Sequence, residues 1–154
     1  MPIFQFVSHK LTMRNFARLE QPQVEGLLDV LTAAKAIDGE IHPDEKAELE
    51  QAIKVLPWNG ATTPERYIDE SIQRAMNVEV TPEALLSFFQ DISARLGEDW
   101  LRQEAYYYAA RISLADQVVQ EEERLLLANL VEAFEIQADK QELIIRKVSR
   151  EMDF

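Results

Sequence analysis

The sequence predicts an all-α protein, a compact bundle of seven or eight helices. Apolar residues recur at three- and four-residue spacing through most of the chain. Repeated helix starts are marked by a capping residue, a proline and an acid, and no stretch alternates apolar and polar residues between turn signals. With 154 residues and 47% hydrophobic content, one domain can fill a core without disulfides, and residues 1–154 are read as one domain.

Ser8 can cap a first helix reaching about Leu19. Residues 1–20 read as a basic helical arm, since Lys10, Arg14 and Arg18 precede any acid. Its Phe4, Phe6, Leu11, Phe16 and Leu19 suit either a solvated amphipathic helix or an arm facing a membrane or an acidic partner. Pro22 lies in the first turn of the next helix, where Val24, Leu27, Leu28, Leu31 and Ala34 keep helical spacing as far as Asp38 and Gly39 ends the run. "HPDEKAELEQAIKVL" opens with Pro43 at the first helical position and is predicted to bury Ala47, Leu49, Ile53 and Leu56 before "PWNG" breaks the chain.

Thr63 and Thr81 each precede a proline and a glutamate, giving two further starts, and Gly97 closes the second of these helices. A long helix then runs to Asp116, "QEEERLLLANLVEAF" forms another, and a last one spans about Ala138 to Met152. Tyr106, Tyr107 and Tyr108 stand about 100° apart on a helix, so the expectation is one or two in the core and one at its edge. Trp58 and Trp100 are expected as core or boundary anchors. Leu125, Leu126 and Leu127 exceed what one buried stripe needs, which leaves room for a helix–helix contact with a partner.

Residues 37–56 match residues 115–134 at an offset of 78, with Asp38 on Asp116, Ile41 on Val119, Asp44 on Glu122, Glu45 on Glu123, Leu49 on Leu127 and Leu56 on Phe134. The reading is two pseudo-repeated helical hairpins, in halves of about 24–57 and 99–136, around a pseudo-two-fold axis.

Charge and composition exclude several kinds of chemistry. The 28 acidic residues outnumber 16 basic ones, a net charge of -12 that repels phosphate backbones and disfavours nucleic acid as a partner. There is no cysteine, which removes thiolate nucleophiles and Cys-based zinc sites and suits a reducing compartment. No stretch approaches the ~20 apolar residues that span a bilayer, so the chain is read as soluble and cytoplasmic. The four glycines form no phosphate-cradling loop, the serines lack a nucleophile-elbow context and only two histidines occur. No organic cofactor and no catalytic residue is expected.

The densest chemistry is "AIDGEIHPDE", with Asp38, Glu40, Asp44 and Glu45 within eight residues. At the second and third positions of a helix, Asp44 and Glu45 have a ready role as caps. Asp38 and Glu40 lack that role, and the crowding calls for a cation: Lys35, Lys46 or a hard divalent metal such as calcium or magnesium. The stretch is not an EF-hand, since the sixth position from Asp38 is Pro43 and the twelfth is Leu49. His42 reads as a solvent-facing or capping residue, its spacing to Glu45 being the reverse of the Glu-x-x-His order of di-iron bundles. A second, weaker set is Asp116, Glu122 and Glu123.

This Asp-Gly-Glu-aliphatic turn with a second copy further along resembles the tellurite-resistance TerB-like family, most strongly over residues 33–56 and more broadly over about 24–150. The resemblance implies a two-halved helical bundle, a cytoplasmic or membrane-peripheral stress-response role, divalent-metal binding at Asp38, Glu40 and Glu45, and protein partners including other Ter proteins, one of them in a membrane; with no catalytic residue in view, the role is read as non-catalytic. The second copy departs from the pattern, with Gln117 and Val118 where the glycine and acid would stand. The competing expectation is an interaction scaffold, including a homo-oligomer, whose acids are caps and surface charge.

Overall fold

The computed structural model describes residues 4, 7, 14–37, 41–115 and 120–152. Among them are seven α-helices and no strand: α1 (Gln21–Ala36), α2 (Pro43–Ala52), α3 (Pro64–Asn77), α4 (Pro82–Leu96), α5 (Asp99–Ser113), α6 (Glu121–Ala133) and α7 (Ala138–Glu151). Single 3-10 turns cover Arg14–Arg18 and Ile53–Val55. None of these helices is long and apolar enough to cross a membrane.

Most of these helices start as the sequence predicts. Thr63 Oγ1 accepts the Arg66 N–H and Thr81 Oγ1 the Ala84 N–H, each at 3.2 Å, so one otherwise orphaned donor per helix is satisfied. At α1, α2 and α6 the reciprocal bond runs backward. The main-chain N–H groups of Glu20, His42 and Gln120 donate to the side-chain oxygens of Gln23, Glu45 and Glu123 at 2.9, 2.9 and 3.0 Å. His42 and Gln120 correspond at the offset of 78, so the two hairpins open their second helices with the same device. Gly97 ends α4 with φ 75°, the left-handed conformation that costs any other residue strain.

α1 is the axis of the bundle. It packs against α3, α4 and α5, while α4 also packs on α6, and α5 on α6 and α7. Eleven of its residues are buried, on every side of the helix. Gly26 faces α4, and a Cβ there would lie 3.1 Å from Leu96 Cδ2. α5 is similarly enclosed, so Tyr106, Tyr107 and Tyr108 are all buried, at 1%, 3% and 0% exposure. The expectation that one would sit at the edge fails because neighbours on three sides leave this stretch of α5 no solvent face; Tyr107 places only its hydroxyl at the rim, between Arg111 and Glu151.

Two more expectations need correction. Ala47 is exposed, because α2 touches the bundle along the narrow stripe of Leu49 and Ala52 and continues into the 3-10 turn with Ile53. The segment before α1 ends in a 3-10 turn, and its Phe4, Phe16 and Leu19 are buried core residues, so they are not available to a membrane. Ser8, Phe6, Lys10 and Leu11 lie outside the described residues. Trp58 and Trp100 are half-buried boundary anchors, as expected.

Gly97→Ala should destabilise the fold by about 1 kcal/mol. No atom lies within 4 Å of the added methyl, so the loss is a pure backbone effect. Denaturant unfolding should show a lower midpoint with an unchanged slope.

Candidate functional site

The carboxylates of the acidic turn divide by what holds them. Glu45 is fully employed: Oε1 accepts the His42 N–H at 2.9 Å, and Oε2 lies 3.6 Å from Lys35 Nζ, with both side chains 18% exposed. Lys46, the other cation considered for the turn, reaches Asp69 at 2.5 Å and Glu50 at 3.8 Å. The Asp69 hydrogen bond raises its pKa. Asp44 is exposed, and Glu48 accepts the Phe4 N–H, which fastens the chain's beginning to α2. Asp38 and Glu40 lie outside the described residues.

In the second hairpin, Glu123 caps Gln120, Glu122 is exposed, and Asp116 lies outside the described residues. Among the described residues no group of three His, Asp or Glu side chains converges in the manner of a metal site. For a hard divalent ion the donor set fits poorly at Glu45, whose two oxygens already meet an N–H and an ammonium. The structure brings Glu45 together with Lys35 and His42, and it does not bring it together with Asp44.

The most charged interior feature is elsewhere, around a residue that helical spacing alone would pass over. Asp29, in the middle of α1, is 2% exposed. Its Oδ1 accepts from Arg74 Nη2 at 2.8 Å, Ser71 Oγ at 2.7 Å and Tyr67 OH at 3.2 Å. Its Oδ2 accepts from Arg95 Nη2 at 2.7 Å and again faces Tyr67 OH at 3.1 Å. Tyr67, Ser71 and Arg74 share one face of α3, and Arg95 comes from the last turn of α4, where Asp91 also holds it at 3.1 Å. The Arg74 guanidinium lies 5.0 Å from the centroid of the Tyr67 ring. Burial, with the Asp29 charge adding to it, raises the pKa of the Tyr67 hydroxyl, which stays a donor throughout ordinary conditions.

A second clamp stands at the related place with its polarity reversed. Tyr107 occupies the position of Asp29 at the offset of 78 and hydrogen-bonds Glu151 of α7. Arg111 Nη1 donates to the Tyr107 hydroxyl at 2.8 Å and to Glu151 at 3.0 Å. Burial and then the Glu151 bond push the Tyr107 pKa up to about 12. The acid thus lies on the central helix in the first half and on the outer helix in the second. A charged residue inside "LLDVLTAA" was the available signal for Asp29; the identity of its partners was not.

Comparison with models of known families, with curated proteins and with solved structures finds no match.

The two arginines should not be equal. Arg95 is 26% exposed and Arg74 44%, so Arg74 loses less solvation and holds its share of Asp29 more weakly. Arg95→Met is expected to cost about 2–4 kcal/mol and Arg74→Met about 1–2 kcal/mol. Urea unfolding of the two variants checks the ranking.

Proposed function

We propose that this chain is a non-catalytic helical interaction module, whose acidic residues act as helix caps and solubilising charge. One observation carries the reading: Glu45 and Glu123, both expected as metal ligands, each spend an oxygen on the first free N–H of their own helix. The strongest internal charge cluster supports it, since Asp29 is consumed by donors from two other helices and offers nothing to a substrate. Such a scaffold is rigid inside and carries its recognition chemistry on outer helix faces.

The competing reading joins the tellurite-resistance resemblance, which carries Asp38, Glu40 and Glu45, to the neighbouring Asp44: a stress-response module that holds calcium or magnesium through these four acids. It is favoured by one feature, the exposed Asp44 carboxylate, which makes no ion pair among the described residues.

Thermal melts with calcium and with a chelator, at equal ionic strength, separate the two. The interaction reading expects superimposable curves for the wild type. Glu45→Ala should lose about 1 kcal/mol with or without calcium, because the His42 N–H is orphaned. Glu45→Gln, which keeps an acceptor and gives up the Lys35 pair, should lose about 0.5 kcal/mol. A rise in melting temperature with calcium that Asp38→Asn abolishes would establish the metal reading in its place.

A further inference from the structure

The last helix is held to the bundle along a thin line. α7 buries Ile144 and Val148, keeps Gln141, Ile145, Lys147 and Ser149 half-buried beside them with Met152 just beyond its end, and turns its remaining residues to solvent. One arc of that circumference carries Lys140, Leu143, Lys147 and Arg150, at spacings of three, four and three residues. Leu143 is 56% exposed, more than any other large apolar side chain among the described residues. Lys140, Lys147 and Arg150 make no ion pair among the described residues; Lys147 rests its ammonium 4.8 Å from the centroid of the Tyr107 ring. Three unneutralised cations around a bare leucine are out of character for a chain of net charge -12.

The matching surface is on the same chain. α6 places Glu121, Leu125, Ala128 and Glu132 on one arc, at spacings of four, three and four residues. Glu121, Ala128 and Glu132 are exposed, Leu125 is half-buried, and neither glutamate is ion-paired among the described residues. Both arcs are a helical stripe with a leucine at its centre, and their rims are of opposite sign. An anionic membrane would meet the whole negative field of the protein at long range, whereas an acidic helix offers its charge locally.

We infer that the outer face of α7 docks on the outer face of α6 of a second copy of this chain, with Leu143 packed near Leu125 and the cations of α7 facing Glu121 and Glu132. The inference rests on the interaction-module reading and names its partner. Because unlike faces pair and every copy carries both, association closes as a two-fold dimer or extends as a chain.

Sedimentation velocity tests it with two charge-reversed proteins, K140E/R150E and E121K/E132K, all four positions being exposed so that circular dichroism should remain that of the wild type. The wild type is expected to associate at low salt and to separate as salt screens the rims. Each variant alone should self-associate about tenfold more weakly or worse, because like charges then meet. An equimolar mixture should associate again, since the acidic α7 of one protein meets the basic α6 of the other and the reverse contact is equally matched. A wild type that stays monomeric at low salt, or a mixture that does not recover, overturns the inference. So does binding of the monomeric wild type to phosphatidylserine vesicles that K140E/R150E abolishes, which would assign the face to lipid. A monomeric wild type with calcium-independent melts removes this partner alone, while calcium-dependent stabilisation removes the interaction-module reading itself.

Discussion

Three helices, α1, α3 and α4, meet around one buried carboxylate. A charge at 2% exposure is tolerable where its lone pairs are filled and an opposite charge is close. Asp29 obtains both from α3 and α4. The requirement fixes more than one contact. α3 must present Tyr67, Ser71 and Arg74 toward α1, α4 must bring its last turn alongside, and Gly26 three residues earlier on α1 gives Leu96 of α4 room to approach. Arginine suits the task where lysine would not, because a planar guanidinium stays charged while half-buried and can donate to more than one acceptor at once. Arg95 uses that capacity, touching both Asp29 and Asp91.

The readable parts of the fold were those decided within one turn of chain. Thr63, Thr81, Pro43 and Gly97 each announce a helix boundary through a bond or dihedral angle involving near neighbours, and each stands where the pattern puts it. What could not be read depends on partners far away in sequence. The enclosure of all three tyrosines follows from α1, α6 and α7 surrounding α5, and the partners of Asp29 lie 38 to 66 residues away. Ala47 lies outside the buried stripe for a related reason: helical spacing identifies a candidate face, and only the neighbour decides how wide a stripe it covers. At the acidic turn, the bond from Glu45 to its own helix was legible as a cap. The salt bridge to Lys35, one of the cations considered for the turn, joins it to the preceding helix and is a contact between helices that spacing alone does not give.

Acid in this protein serves different ends according to depth. In the interior it ties helices together through Asp29; at helix starts Glu45 and Glu123 complete the hydrogen bonding of exposed N–H groups. On the outside it accumulates as uncompensated charge, which favours solubility at some cost in self-repulsion. Against that field the sparse contact of α7 is informative. A helix that gives two buried side chains to the core retains much of its surface for other uses, and it is tethered at its end by Glu151 to Tyr107 and Arg111.

The opposite polarity of the two clamps has a consequence for how the chain finds its fold. A protein built from two similar hairpins risks assembling each outer helix on the wrong partner, within one molecule or between two. Here α3 arriving on α5 would bring Arg74 against Arg111, and α7 arriving on α1 would bring Glu151 against a buried Asp29. The first mistake sets two guanidinium groups together at the rim, the second sets a carboxylate beside a buried one, and each leaves the intended partners unpaired. The inversion therefore works as a proofreading rule written into the repeat, by which similar halves remain non-interchangeable.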